Sequence, residues 1–373
     1  MKIGILGSRG IPNAYGGFEQ FAGHLSVGLT KKGHEVFVYN SSLHPYREKQ
    51  WQGVNIIHCK DWENKLEAAG QFIYDLNCIT DARKRNFDIL LQLGYTSNSI
   101  WHWRWPENSI NIINMDGLEW KRTQYSRLTR MFLKQAEAWA AKYGDYLIAD
   151  SLAMQEYLQN NYNRIPTYIP YGAEIFNDSN PAFLKKFNLQ SRQYYLIVAR
   201  MEPENNIEMI IAGYLQTEQN QPLVIVGNTQ NRFGKQWLKK YENEKIRFLG
   251  SIYDQNILNN LRFFSTIYFH GHSAGGTNPS LLEAMACSCN IAAHNNIFNK
   301  AILSDNANYF STKEEVKKII NQYPDPNNIK KKQEKNIESI RTEYNWNKII
   351  EQYEILFFNA MSKDEKLFKL ASH

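Results

Sequence analysis

The stretch that decides the fold class is the amino-terminal one, residues 1–39, which reads MKIGILGSRGIPNAYGGFEQFAGHLSVGLTKKGHEVFVY. It begins with a short apolar run closed by glycine, which is typical of a buried strand. Between Phe18 and Leu29, apolar residues recur at helical spacing, and this predicts a helix that ends near Gly33. Residues 34–39 predict a second strand. A strand, a glycine loop, a helix and a strand make one βαβ unit, so we expect a parallel sheet.

The alternation of strands and helices continues along the chain. Residues 175–192 are rich in Asn, Ser and Pro and interrupt it, so we place a domain boundary there and predict domains at residues 1–174 and 175–354. Each series predicts a Rossmann-like domain, with a ligand in the cleft between the two. Further strands are predicted at residues 87–93, 109–114, 145–149, 222–226, 246–248 and 266–269, and helices at residues 120–142, 206–215, 279–286 and 346–360.

Length and composition exclude several classes of protein. A chain of 373 residues is long enough for two domains, and 43% hydrophobic with 21% charged residues is a globular composition. The net charge of +6 permits an anionic partner without identifying one. The cysteines at positions 59, 78, 287 and 289 lack metal-ligand spacing and a disulfide framework, so we expect free thiols in a reducing cytoplasm. The apolar run at residues 3–6 is too short for a signal peptide, so we expect none, and no apolar run approaches the roughly 20 residues of a membrane span.

The first glycine loop does not fit the common nucleotide-binding motifs. Gly4, Gly7 and Gly10 do not form G-x-G-x-x-G, and the second strand ends at Asn40 rather than at an acidic residue, which disfavours NAD and FAD. The P-loop motif is also missing from the sequence. Gly16 and Gly17 precede a helix, where the backbone can approach a phosphate or sugar closely, although a plain tight turn explains them equally well.

A second candidate site lies at residues 270–286, which read HGHSAGGTNPSLLEAMA. A strand ends there, a small polar loop follows, and Pro279 stands where the first helical turn begins. We expect the backbone amides of residues 276–280 to point at an anion. Glu283 can accept hydrogen bonds from sugar hydroxyls or can stabilise the helix dipole. His270 and His272 lack a third ligand at suitable spacing, so we expect no metal.

These motifs resemble those of a known enzyme family. Residues 270–286 resemble the donor-binding element of the retaining family 4 glycosyltransferases, which have the GT-B fold, and the Gly16-Gly17 loop resembles their first-domain loop. Four segments in order resemble the bacterial β-1,4-rhamnosyltransferase group with its DUF1972-type N-terminal domain. They read GIPNAYGGFE (10–19), MDGLEWKR (115–122), ARMEPENN (199–206) and GGTNPS (275–280).

The resemblance implies an α/β protein of the GT-B class, with two Rossmann-like domains facing a central cleft and a C-terminal helix at about 355–373 that packs back on the first domain. It implies transfer of L-rhamnose from dTDP-rhamnose to a sugar linked through diphosphate to a polyprenyl lipid. We expect a retaining, metal-independent reaction without a cofactor, by a cytoplasmic protein peripheral to the inner membrane face, with no nucleic acid partner. The alternatives are another donor, such as UDP-glucose or UDP-galactose, or an inactive sugar-binding protein.

Two departures from the general family matter. General family 4 members carry two Glu separated by seven residues, whereas this chain has Gly275 in the first position and Glu283 in the second. They carry a Lys where this chain has Asn205. Both changes are similar to those of the rhamnosyltransferase group, and a donor sugar without a 6-hydroxyl has less need of the missing carboxylate.

The resemblance assigns the candidate site residues. Arg200 presents a fork of donors suited to the phosphate oxygens of the leaving group, unless it forms an ion pair with Glu202 or Glu204. Asp116 hydrogen-bonds the donor or orients the acceptor hydroxyl, and Glu119 caps the helix at 120–142, unless both residues only cap that helix. The candidate catalytic residues are Asp116, Glu119, Arg200 and Glu283. The candidate donor-binding residues are Gly16, Gly17, Asn205, Gly227, Asn228, Gly250, His272, Gly275, Gly276, Thr277, Asn278, Pro279 and Ser280. The candidate acceptor-binding residues are Tyr15, Phe18, Glu19, Trp120, Lys121 and Arg122.

A basic and aromatic surface is predicted on the first domain. The helix after Trp120 carries basic residues among apolar ones, and residues 101–105 read WHWRW. Such a surface suits contact with anionic lipid. A solvated face above core aromatics explains it equally well. The residues of the helix are Lys121, Arg122, Tyr125, Arg127, Leu128, Arg130, Met131, Phe132 and Lys134.

Overall fold

The computed structural model describes residues 1–122, 125–273, 276–322 and 325–371, with side chains described as far as Lys363. The chain divides into two compact units. The first comprises Met1–Lys121, Tyr125–Tyr171 and the segment that begins at Trp346. The second comprises Gly172–Asn345 and also includes Arg122.

The first unit is built on a mostly parallel sheet. Its strands are β1 Lys2–Leu6, β2 Glu35–Ser41, β3 Gln50–Trp51, β4 Val54–Cys59, β5 Ile89–Leu93, β6 Ile110–Asn114, β7 Tyr146–Ala149 and β8 Thr167–Tyr168. The described residues place them in the order β3-β4-β2-β1-β5-β6-β7-β8, and only the β3–β4 pair is antiparallel. Every residue of β5 and β6 is buried, as expected for central strands covered on both faces.

Helices cover this sheet. They are α1 Gly17–Lys31, α2 Glu63–Leu66, α3 Ala68–Ala82, α4 Arg127–Tyr143 and α5 Leu152–Tyr162, with 3-10 turns at Ser99–Arg104 and Glu119–Lys121. The last helix of the chain, which begins at Trp346, packs on α1. A Cβ at Gly28 would lie 2.2 Å from Ile350 Cδ1, so the glycine allows the two helices to approach.

The second unit has a sheet that is parallel throughout its described residues. Its strands are β9 Tyr195–Val198, β10 Leu223–Val226, β11 Ile246–Gly250, β12 Ile267–His270, β13 Ile291–His294 and β14 Asn308–Phe310, in the order β11-β10-β9-β12-β13-β14. Its helices are α6 Ala182–Lys185, α7 Ile207–Tyr214, α8 Arg232–Tyr241, α9 Gln255–Phe263, α10 Pro279–Ala286, α11 Ile297–Leu303, α12 Lys313–Asn321 and α13 Pro326–Thr342, with a 3-10 turn at Pro203–Asn205. The last helix of the first unit, Trp346–Ala371, is α14. Two Rossmann-like α/β units confirm the predicted fold class.

The start of one predicted helix is wrong. The apolar spacing predicted a helix at residues 120–142, but α4 begins at Arg127, and Glu119–Lys121 is a separate 3-10 turn. The reason is local, because the Ser126 hydroxyl accepts a hydrogen bond from the Thr129 amide at 3.2 Å and caps the helix. Asp116 and Glu119 therefore do not cap this helix.

Candidate active site

The strongest candidate site lies where β9 and β12 end side by side in the second unit. Parallel strands present their carboxyl ends at one edge of the sheet, and ligands of open α/β sheets bind there. Asn205 joins the two loops, because its Nδ2 donates to the Arg200 carbonyl at 2.8 Å and its Oδ1 lies 3.0 Å from His272 Nδ1. A Cβ at Gly271 would lie 2.0 Å from the Asn205 carbonyl oxygen, so only glycine permits this approach.

Arg200 stands at this edge with its side chain 64% exposed. Its Nη2 lies 3.6 Å from Glu202 Oε2, so the ion pair considered as an alternative is present. Arg122 Nη1 binds the same carboxylate oxygen at 3.2 Å and shares Glu202 with Arg200. The 3.6 Å contact is long, the Arg200 side chain is largely exposed, and the buried Glu202 keeps Arg122 as a partner, so a phosphate can replace Glu202 as the partner of Arg200 at small cost.

The loop before α10 differs from the expectation in one respect. Pro279 occupies the first turn of the helix, as the sequence predicts, and the side chain of Asn278 caps it. The Ser280 amide, however, donates to Asn278 Oδ1 at 2.9 Å, so it points into the cap rather than at an anion. The Ser280 hydroxyl faces the interior, 2.8 Å from the Tyr268 hydroxyl. Thr277 is buried, Gly276 is partly exposed, and Gly275 lies outside the described residues.

Glu283 is held by side chains that the sequence analysis did not identify. Its carboxylate forms an ion pair with Arg262 of α9, and its Oε1 accepts from Gln255 Nε2 at 3.0 Å. Burial by itself would lower the pKa of the Arg262 guanidinium, but the neighbouring Glu283 carboxylate raises it, so Arg262 stays charged. Glu283 is therefore paired with a buried cation, which stabilises its carboxylate more than the helix dipole alone would.

The two histidines after β12 have different surroundings. Burial, followed by the charge of Arg262, lowers the pKa of His270 to about 3, so its imidazole is neutral at neutral pH. His272 is partly exposed and bound to Asn205. Across the described ranges, no group of three His, Cys, Asp or Glu residues is placed to hold a metal ion.

Three further donor-binding candidates lie at the ends of β10 and β11. The Gly227 amide donates to the Gly250 carbonyl at 2.9 Å, and a Cβ at Gly227 would lie 2.0 Å from the Ala199 carbonyl oxygen. Gly250 has a φ of +72°, a region that favours glycine. Asn228 accepts a hydrogen bond from the Gln230 amide at 2.8 Å. These residues therefore belong to the same edge as Arg200.

In the first unit, Gly16 caps α1 and Gly17 is its first residue, and Glu19 of the same helix binds the loop after β1. The Glu19 carboxylate is buried and accepts from the Arg9 amide at 2.8 Å. Burial raises the pKa of Glu19. The Glu19 carboxylate thus stabilises the backbone of its own loop, and its contact with the acceptor stays a prediction. Phe18 packs at the end of β5, where its ring lies 3.3 Å from the position of a Cβ on Gly94.

Arg9 and Asn40 shape the same loop, and the sequence analysis assigned neither a role. The Arg9 guanidinium binds Glu63 at 2.9 and 2.5 Å and stacks 3.9 Å from the ring centroid of the exposed Tyr15. Asn40 bonds both backbone groups of Ile11, accepting at 3.0 Å and donating at 2.7 Å. The Asn40 side chain at the end of β2 therefore shapes the glycine loop.

The loop after β6 carries the other predicted catalytic residues. Asp116 has a φ of +45°, which is uncommon outside glycine and is concentrated at functional sites. Its carboxylate accepts from the Tyr171 hydroxyl at 3.4 Å. The Glu119 amide donates to the Tyr95 hydroxyl at 3.2 Å, and the Lys121 ammonium lies 5.4 Å from the Trp120 ring centroid.

The predicted basic and aromatic surface separates into exposed and internal parts. Leu128 and Met131 are 78% and 62% exposed, and Arg127 and Arg130 beside them are also exposed. Lys134 instead binds the buried Glu137 at 2.9 Å. Phe132 packs on Phe72, Trp105 is buried and Trp103 is exposed. Along the described chain, no helix is both long and apolar enough to cross a bilayer.

Comparisons with known proteins agree with this architecture. Residues 1–174 match the family model described as a domain of unknown function, DUF1972, and residues 180–340 match the model described as glycosyl transferases group 1. A comparison with curated protein sequences gives no match.

Several solved structures share this fold over nearly the whole chain. A sucrose-phosphate synthase from Thermosynechococcus elongatus is similar with a TM-score of 0.79 and 16% identity, over 97% of this chain and 99% of that one. The HepE protein of Anabaena in complex with UDP and glucose has a TM-score of 0.73 and 13% identity, over 96% and 99%. A glycosyltransferase from Rickettsia africae has a TM-score of 0.66 and 14% identity, over 96% and 98%.

Proposed function

The chain belongs to the DUF1972 family over its N-terminal half and to the group 1 glycosyltransferases over its C-terminal half, in a GT-B fold, and we propose that it is a rhamnosyltransferase. The proposed reaction transfers L-rhamnose from dTDP-rhamnose to a sugar that is linked through diphosphate to a polyprenyl lipid. The observation that carries the proposal is the Asn205 bridge between the Arg200 loop and His272. It fixes the backbone of Arg200, whose side chain is exposed, at the strand edge where α/β proteins bind nucleotides.

In this reaction, the bond from the anomeric carbon to the diphosphate breaks, a bond to the acceptor hydroxyl oxygen forms, and the hydroxyl proton passes to an oxygen of the departing diphosphate. The departing nucleoside diphosphate gains negative charge. Arg200 stabilises that charge by bidentate hydrogen bonds, which exchange for its weak contact with Glu202. Asp116 orients the acceptor hydroxyl. Its constrained backbone favours this role, because such strain persists where the surroundings hold a residue in place.

The choice of rhamnose rests on position 275, where glycine stands in place of the carboxylate of general family 4 members. A 6-deoxy sugar has no 6-hydroxyl to bind such a carboxylate. UDP-glucose is the second candidate donor, since HepE of Anabaena, which shares the fold, has been solved with UDP-glucose. A third possibility is a sugar-binding protein without transferase activity.

We further propose that the protein works at the inner face of the cytoplasmic membrane, where its lipid-linked acceptor would lie. The exposed Arg127, Leu128, Arg130 and Met131 support this proposal, because basic and apolar side chains on one helix suit an anionic lipid surface.

The test is incubation of the purified protein with dTDP-rhamnose, UDP-glucose or UDP-galactose and a short-chain polyprenyl diphosphate sugar, with and without EDTA. Acceptor-dependent turnover of dTDP-rhamnose alone, unchanged by EDTA, is the expected result. Turnover of only a UDP-sugar overturns the donor assignment, and binding without turnover of every donor overturns the transferase. NMR analysis of the product anomer tests retention.

A further inference from the structure

A fully buried carboxylate in the first unit lies behind the loop that carries the acceptor candidates. Glu137 of α4 has no exposed surface. Burial of a carboxylate is unfavourable unless it is paired and hydrogen-bonded, and Glu137 meets both conditions. Its Oε1 accepts from Tyr157, Tyr162 and Lys134 at 2.7, 2.7 and 2.9 Å, and its Oε2 accepts from Trp120 Nε1 at 2.9 Å.

Glu137 is connected to the loop at residues 116–121 by two routes. The direct route is the bond from the Trp120 indole, and Lys134 adds to it with its ammonium 4.6 Å from the centroid of that ring. The second route passes through Tyr95, whose hydroxyl lies 3.4 Å from Glu137 Oε2. The single proton of this hydroxyl is shared between Glu137 Oε2 and the Gly117 carbonyl, which lies at 3.1 Å, and its oxygen accepts from the Glu119 amide at 3.2 Å.

We propose that Glu137 is a positioning residue that holds this loop, and the Trp120 indole above all, in the geometry that binds the acceptor sugar. An apolar residue would fill the same volume without the cost of burying a charge. Glu137 instead provides acceptors for donors that belong to the loop. The part of the inference that concerns the acceptor rests on the proposed function.

The variant Glu137→Gln tests the proposal with the least change of shape. Glutamine offers one oxygen and one NH₂ group, whereas Trp120 Nε1 and the Lys134 ammonium can only donate and bind opposite oxygens of Glu137. Either orientation of the amide therefore turns its NH₂ toward a donor. We expect the acceptor KM to rise about tenfold. We expect the Kd for donor nucleotide to stay within about twofold, because the Arg200 site belongs to the other unit.

The matched control is Tyr162→Phe. It removes a hydrogen bond to Oε1 of the same carboxylate and leaves the Trp120 bond in place. We expect it to lower the melting temperature while the acceptor KM changes by less than about twofold. If E137Q does not fold, Tyr95→Phe tests the second route, with the same expected rise in KM. The proposal is overturned if the acceptor KM is unchanged in E137Q, or if it rises equally in Y162F. If E137Q does not fold, an unchanged acceptor KM in Y95F overturns it.

A second readout does not depend on transferase activity. The indole N–H of Trp120 gives an NMR signal that is identified by its loss in Trp120→Phe. We expect this proton to exchange slowly in the native protein, to shift and exchange faster in E137Q, and to be unchanged in Y162F. If the native protein transfers no sugar, the proposed function fails and this signal alone decides the positioning role. If it transfers sugar while the signal and the KM are unchanged in E137Q, the positioning role fails and the function stands.

Discussion

Replacement of Glu283 by alanine is expected to destabilise the second unit strongly, because it leaves the Arg262 guanidinium buried without its carboxylate. The Arg262 side chain is 1% exposed and the Glu283 side chain 11%, so solvent cannot take the place of the missing group. Breaking a buried ion pair costs about 3–5 kcal/mol. For a unit of this size, each kcal/mol lowers the melting temperature by about 2–4 °C, so we expect a loss of about 6–20 °C.

Scanning calorimetry measures this loss, and a double variant identifies its cause. Combining Arg262→Met with Glu283→Leu replaces the pair by apolar side chains, which is often neutral for stability. We therefore expect the double variant to recover most of the melting temperature lost in Glu283→Ala. A loss below about 2 °C in the single variant, or a double variant no more stable than the single one, would refute the reasoning.

The same double variant separates stability from donor binding. If Glu283 binds a donor hydroxyl in addition to Arg262, the stable double variant still loses donor affinity. If its donor Kd equals that of the native protein, Glu283 acts only through the fold. Glu283→Ala alone cannot make this distinction, since its loss of activity would include its loss of stability.

Three other variants test further parts of the account. Burial raises the pKa of Asp75 to about 7, so the folded protein binds a proton that the unfolded chain releases, and stability falls as the pH rises from about 4 to 7. Asp75→Asn removes this fall from urea unfolding curves, and an equal fall in the variant contradicts the assignment. Asn205→Ala breaks the bridge between its two loops and raises the donor KM about fivefold to tenfold in initial-rate assays, whereas an unchanged KM shows that the bridge is dispensable. Leu128→Ser with Met131→Ser reduces flotation with anionic vesicles, and undiminished flotation excludes this face of α4 from membrane contact.

The sheet architecture and the start of helix α10 were predictable from local patterns. The βαβ pattern of residues 1–39 predicted β1, α1 and β2, and the predicted helix at 279–286 is α10. Both depend on signals within a few residues, namely apolar spacing and a proline in the first turn. The helix predicted from Trp120 starts too early because a 3-10 turn at Glu119–Lys121 and the Ser126 cap determine the backbone there.

The partners of the site residues were not predictable, because they come from distant parts of the chain. Arg262 and Glu283 lie on different helices and meet only in the folded unit. The helix α4 carries many charged residues, and nothing in the sequence distinguishes Glu137 from a solvent-exposed glutamate. Its burial follows from tyrosines of α5 that pack against it. Local pattern therefore predicts the loops of the site but not the side chains that hold them.

The central claim is that the edge formed by β9 and β12 binds the donor diphosphate through Arg200. The most direct measurement is kcat/KM for the donor in Arg200→Ala and Arg200→Lys, with native-like melting temperatures as the control. We expect a fall of about 10- to 150-fold in R200A, because a charge-assisted hydrogen bond contributes about 1.5–3 kcal/mol, and partial recovery in R200K, which keeps the charge but not the bidentate fork. A kcat/KM in R200A within about twofold of the native value would contradict it.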